Sequence, residues 1–271
     1  MKFEDMINKV VLGDCLKILP LIPDNSIDLV VTDPPFNISQ DKIIDRTNIE
    51  NKAMRRKGKV KVLKYNFGDW DWFNSPEEYL LWTKKWAKEV VRVLKPNGTL
   101  YSFFAKSEIS LFEYILKESG MHVRCTCVWH KTNPVPLLFK VGYMSASEFF
   151  VYATKNKGAG HTFNYKLGQQ HNVFTFPICM GNERIKDKNG QTAHATQKPL
   201  QLIELLIKYS SNKNDIILDP FLGSGTTAVA SVKLGRKCIG IEINEVYVRL
   251  SRERILPYLE QTKLGGFKNE K

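Results

Sequence analysis

The chain has 271 residues, of which 43% are hydrophobic, enough for a full core in one α/β domain with insertions or in two small domains. With 40 Lys and Arg against 28 Asp and Glu, the formal charge is +12, which suits a polyanionic partner, nucleic acid first, although net charge also reports plain solubility. The 5 cysteines form no repeated CxxC pair, which argues against a disulfide framework or zinc site, and MKFEDMINKV is no export signal, so a soluble cytoplasmic chain without a membrane span is expected.

In chain order, Val10 to Leu12 reads as a short strand ending in Gly13-Asp14, and Cys15 to Leu19 as a helical turn stopped by Pro20. The apolar run Ile27 to Thr32 reads as a strand leading straight into Asp33-Pro34-Pro35-Phe36. Periodicity is then lost over about 37–75, where residues 51–64 carry 7 Lys/Arg and no carboxylate and read as a mobile basic loop. Ser75 caps a helix that has Pro76 at its first position and acids in its first turn, and that runs to Leu94 before Pro96-Asn97-Gly98 ends it.

A strand from Thr99 to Ala105, a helix from Ser107 to Glu118 and strands at Val123 to Trp129 and Phe149 to Ala153 follow. Cys125 and Cys127 point to one face of their strand as core residues. From Thr154 to Ala195 no period is visible. Beyond it come a helix from Pro199 to Ser210, a strand from Asp215 to Leu218, a Gly turn, a helix from Thr226 to Leu234, a strand from Lys237 to Ile243 and a basic last helix. The alternation implies a mostly parallel sheet of seven strands with helices on both faces and a site at the strands' C-terminal ends.

Three motifs fall at such ends: Gly13-Asp14, Asp33 to Phe36, and Asp219 to Thr227. The turn Asp219-Pro220-Phe221-Leu222-Gly223-Ser224-Gly225-Thr226-Thr227 lets a ligand approach backbone N–H groups, but has neither the Lys of a P-loop nor GxGxxG spacing. Glu242 ends the next strand, where a carboxylate accepts both hydroxyls of a ribose. A nucleoside with an amino-acid tail satisfies both. Asp33-Pro34-Pro35-Phe36 answers the difficulty of methylating an aromatic amine, whose lone pair is delocalised into the ring. Asp33 and the Pro34 carbonyl accept one N–H each and free that lone pair, the prolines fix the carbonyl's aim, and Phe36 stacks on the extruded base.

With both motifs present, residues 8–255 resemble the amino-methylating DNA methyltransferases. The order, catalytic motif before cofactor motif, is similar to the family's permuted β group, so the resemblance implies a Rossmann-like, circularly permuted S-adenosylmethionine-dependent fold in a single domain, 1–271. Carried over, Asp14 accepts from the cofactor's adenine amine, Thr196 and Lys198 help bind its methionine carboxylate, and Phe221 flanks the adenine. Asp219, Gly223, Gly225, Thr226 and Thr227 form the cofactor turn, Glu242 holds the ribose, Asp33 and Pro34 hold the amine, and Phe36 stands where Tyr is commoner. Amine methylation by a sulfonium requires no metal, and no two histidines show ligand spacing.

The target is expected to be adenine N6 in double-stranded DNA, since Asp at the first position leans that way in the family, with cytosine N4 the alternative. A non-catalytic DNA-binding subunit and an RNA amine methyltransferase are further readings. Arg55, Arg56, Lys57 and Lys59 of the basic loop, followed by Tyr65, Phe67, Trp70, Trp72 and Phe73, are candidate DNA contacts or, for the rings, anchors to the core. Lys131 and Asn133 are further DNA candidates, while Trp129 is expected in the core. About 133–195 takes the place of the target-recognition region, with Asn164, Gln169, Gln170, His171 and Asn172 as candidate base readers. A homodimer and a companion restriction endonuclease are left open.

Overall fold

Ile27–Thr32 forms a strand, β2, whose side chains alternate between two apolar layers: Ile27 and Val30 pack on one side of the sheet, Leu29 and Val31 on the other. The computed structural model describes residues 1–37, 73, 75–136, 142–186, 190, 192 and 196–263. The basic loop, with Arg55, Arg56, Lys57 and Lys59, lies outside the described residues, as do Tyr65, Phe67, Trp70, Trp72 and His194.

The remaining elements are β1 (Lys9–Leu12), α1 (Cys15–Ile18), α2 (Pro76–Val93), β3 (Leu94–Phe104), α3 (Ile109–Glu118), β4 (His122–Lys131) and β5 (Ser147–Thr154). After them come β6 (Val173–Phe176), α4 (Leu200–Ser210), β7 (Ile216–Asp219), α5 (Thr226–Lys233), β8 (Lys237–Glu242) and α6 (Glu245–Lys263). The strands form one sheet in the order β1-β8-β7-β2-β3-β5-β4-β6. All neighbours pair in parallel except β5, which runs against both β3 and β4.

The sheet has eight strands, one more than the expected seven. The addition is β6, in the stretch that shows no period. Its four residues pair with Val128 to Lys131 of β4 at the sheet's edge, where little apolar surface is needed and Val173 stays exposed. Pro96-Asn97-Gly98 also departs from expectation. It falls inside β3 as an irregularity, because Ile27 pairs with Leu94 while Leu29 already pairs with Thr99. Past Cys15–Ile18 the chain continues as a 3-10 turn, Leu19–Leu21, through Pro20.

Local chemistry explains the helix starts. Ser75 accepts from the Glu78 N–H at 3.2 Å and Pro76 takes a position whose N–H needs no partner. Helices α2 and α3 bury Trp86, Val90, Phe112 and Leu116 on one face of the sheet, and α4 and α5 bury Leu202, Leu206 and Ala230 on the other. Helix α6 packs Val248 and Ile255 against Ala228 and Val232 of α5. No helix among the described residues is long and apolar enough to cross a membrane.

Candidate active site

Strand order decides what the site can contain. The C-terminal ends of β1, β8, β7, β2, β3 and β4 lie along one edge, and β5, being reversed, delivers its beginning there. A cavity of about 480 Å³ opens along this edge. Taken across the sheet, its wall runs from Asp14 and Glu242, through the Asp219 to Thr227 turn, to Asp33 and Phe36, then Phe103, Glu148 and Lys131. Thr196 and Lys198 also face it, from the approach to α4. Every residue assigned to catalysis or cofactor from the sequence therefore borders one space, except Gly225, which shapes the turn from behind.

At the β8 end, Glu242 is buried, and each of its oxygens accepts one backbone N–H, from Gly223 at 2.7 Å and from Asn244 at 2.8 Å. Burial raises its carboxyl above the ordinary range, against the lowering effect of those bonds. Each oxygen keeps a lone pair for a ligand hydroxyl. Asp14 caps α1 through a 2.9 Å bond from the Leu16 N–H, and the Gly13 N–H donates to the Glu242 carbonyl at 2.9 Å, so the two acidic residues are held together.

The glycine turn is tight. Gly225 has φ +85°, and a Cβ there would lie 2.6 Å from Ser251 Cβ on α6. Phe221 packs its ring on Trp82 and Trp86 at 5.4 Å each, leaving it in the cavity wall between them and the turn. Thr226 and Thr227 are buried at the start of α5, and the Arg254 guanidinium donates to the Ser224 carbonyl behind them. The accepting carboxylate at one end and the N–H groups at the start of α5, which borders the cavity, suit a nucleoside carrying an amino-acid tail.

At the β2 end, Asp33 follows buried Thr32 directly. The Pro35 carbonyl accepts from the Tyr79 hydroxyl at 2.9 Å, fixing the loop to α2. Phe36 tilts on Phe104 with centroids 6.3 Å apart. Phe73 packs on Tyr79 and Trp82 and lines the cavity, so of the loop aromatics this one is an anchor in the wall.

Lys198 has partners that the sequence did not indicate. Its ammonium pairs with Asp33 and lies 3.3 Å from Glu148, and it stands 4.9 Å from the centre of the Phe103 ring. Burial works against its charge, and the two carboxylates more than reverse this and raise it. Lys131, a candidate DNA contact, lines the cavity and pairs with Glu148 at 2.8 Å over the Trp129 ring. Asn133 braces a loop, accepting from the Ile178 N–H at 2.7 Å. Trp129 is buried, as expected.

Of the candidate base readers, Asn164 donates to the carbonyls of Lys208 and Ser211 at the far end of α4, one helix length from Lys198. Asn172 is tied to the Thr126 carbonyl at 2.9 Å, whereas Gln169, Gln170 and His171 are exposed. Sequence reasoning missed Tyr79, Glu148, Trp82 and Tyr247. Glu148 alone carried a signal, a carboxylate among apolar residues at the start of a strand.

A family model for DNA methylases matches residues 27–253. The type II methyltransferase M.HinfI of Haemophilus influenzae is 34% identical over 93% of this chain and 69% of its own length. M2.LlaDCHI of Lactococcus lactis subsp. cremoris, also a type II methyltransferase, is 33% identical over 90% and 87%. Among solved structures, M1.HpyAVI in complex with SAM superposes with a TM-score of 0.65 at 26% identity, covering 91% of this chain and 98% of that one. The cytosine-N4-specific PvuII DNA methyltransferase superposes with a TM-score of 0.66 at 21% identity, covering 95% and 93%, a likeness of fold.

Proposed function

The chain belongs to the N6/N4 DNA methylase family, and from that premise we propose that it methylates adenine N6 in double-stranded DNA, at a base turned out of the helix. Its cofactor is S-adenosylmethionine, the ligand bound in the M1.HpyAVI complex. The observation that carries the reading is adjacency: Asp33 directly follows β2 and Asp219 opens the glycine turn at the end of β7, and these strands are neighbours. Amine holder and cofactor turn thus share one cavity.

Glu242 and Asp14 would hold the nucleoside, and Gly223 to Thr227 with the start of α5 the amino-acid tail. When bound, S-adenosylmethionine supplies an electrophilic methyl group on a sulfonium. Asp33 and the Pro34 carbonyl draw the two N–H bonds of the base amine into hydrogen bonds, which returns lone-pair density to the nitrogen. Tyr79 holds the Pro35 carbonyl and so the loop geometry. Phe36, which lines the cavity beside Asp33, offers a face for the base. Lys198, paired with Asp33, could reach a methionine carboxylate only at the expense of that pair.

Asp at the head of the tetrapeptide favours adenine, whereas cytosine N4, also a flat conjugated amine, is served by the same two acceptors. Transfer of labelled methyl to unmethylated DNA, followed by digestion to nucleosides, tests this. N6-methyladenine is expected; N4-methylcytosine alone would replace the adenine assignment, and label on RNA but not DNA would overturn the substrate class.

The same reading takes the chain as one methyltransferase domain in the cytoplasm with its DNA, with about 133–195 as the target-recognition segment. It also takes the motif order as the permuted β arrangement, which the side-by-side placement of β2 and β7 supports despite their wide separation in sequence. Homodimerisation and a companion endonuclease are parts of this reading that size-exclusion and genomic context would test.

A further inference from the structure

Glu148 is the second residue of β5 and lies opposite Trp129 of β4. Lys131 Nζ is 2.8 Å from its Oε1 and Lys198 Nζ 3.3 Å from its Oε2, and Lys198 pairs in turn with Asp33. Lys131, Glu148, Lys198 and Asp33 therefore form a row that alternates in sign, sums to zero and borders the cavity throughout. Burial alone would raise the Glu148 carboxyl, but the ammonium groups of Lys198 and Lys131 more than reverse it and leave it low. Ion pairs withdrawn from solvent are often replaced by apolar side chains without loss of stability, so four charges in a row on the wall of this cavity, Lys198 buried and the other three half-buried, point to a task in the chemistry.

We propose that Glu148 is a positioning residue for methyl transfer: it shares Lys198 with Asp33, which leaves the Asp33 carboxylate able to accept the base amine, and it keeps the row neutral beside a nitrogen that becomes positive. The proposal rests on the reading of Asp33 as the amine holder. Without Glu148, Lys198 has Asp33 alone, and its full charge competes with the amine for that carboxylate. Two ammonium groups then face one carboxylate, and the surplus positive charge opposes charge growth on the amine. The cofactor residues of β1 and β8 lie strands away and keep their geometry.

The test follows charge rather than bulk. Turnover is read as labelled methyl transfer to saturating, amplified unmethylated genomic DNA. Glu148→Gln lowers kcat by about tenfold to a hundredfold with the KM for S-adenosylmethionine unchanged. Adding Lys131→Met to Glu148→Gln restores a neutral row and recovers part of that rate, whereas Glu148→Asp, which keeps the charge, stays within about fivefold of wild type. Titration of S-adenosylmethionine into each variant checks that it is folded.

A double variant no faster than Glu148→Gln overturns the proposal, as does wild-type turnover by Glu148→Gln. If Glu148→Gln fails to bind cofactor, the decision passes to Glu148→Asp, and an equal loss there overturns it. Asp33→Ala run alongside separates the two levels. If it turns over normally, the reading of the Asp33 site falls and Glu148 with it; if it is inactive while the charge-restored double variant is not rescued, the positioning role alone falls.

Discussion

Thr32 Oγ1 on β2 donates a 2.7 Å hydrogen bond to Asp219 Oδ1 on β7, so the residue before Asp33 is bonded to the residue that opens the glycine turn. Asp219 also accepts from the Phe221 N–H at 3.1 Å and from the side chain of Thr227. One buried carboxylate thereby ties both halves of the site.

Burial pushes that carboxyl up from 3.8 to about 7, against the lowering effect of its hydrogen bonds. A raised folded-state value means that the folded chain binds the proton more tightly than the unfolded one, so stability falls as pH rises from about 4 to about 7 and is level above. Asp219→Asn mimics the protonated form. Its stability relative to wild type should rise by on the order of 2 kcal/mol between pH 5 and pH 8, read from urea unfolding at both values. A difference independent of pH would contradict the assignment.

Asp33→Ala should lower kcat at least about a hundredfold, the scale of losing a main charge-aligned acceptor. Cofactor binding by titration should persist, because Asp14, Glu242 and the glycine turn are untouched. The variant also strands Lys198, which keeps Glu148 as its remaining carboxylate.

Tyr79→Phe removes the hydroxyl bonded to the Pro35 carbonyl but keeps the ring against Phe73 and Phe104. A stability loss of about 1 kcal/mol is expected. A several-fold fall in kcat at saturating cofactor should accompany it, since the tetrapeptide loses an anchor. A fall in stability without any change in kcat would make Tyr79 a core residue only.

Gly225→Ala forces a Cβ onto a backbone at φ +85° and against Ser251. We expect a loss of about 1–3 kcal/mol in denaturant unfolding and a weakened cofactor affinity. Replacing Ser251 by Gly in the same chain should recover only the part due to the contact.

The strand-end placement of the tetrapeptide and the glycine turn, and seven strands, are legible in the sequence because each carries a local signal, an apolar run or a turn. Strand β6 is not. Its Val-Phe-Thr-Phe owes its order to β4, which lies more than 40 residues earlier in the chain. Pro96-Asn97-Gly98 misleads for the opposite reason, since a strong turn signal sits within a pairing that resumes on its far side. The partners of Lys198 escape because they come from two other segments, around 33 and 148, that only the fold brings to it. For the same reason the pairing of Lys131 with Glu148 is not legible in the sequence.

The bond between Thr32 and Asp219 spans 187 residues of chain, and β1 likewise waits for β8. A nascent chain on the ribosome carries Asp33 to Phe36 and the neighbouring strand β3 early, but lacks β7, the strand on the other side of β2, until residues 216–219 emerge. Contacts of such long separation are slow to close. Ribosome-stalled fragments ending before residue 216 lack β7 and the glycine turn and should transfer no methyl groups.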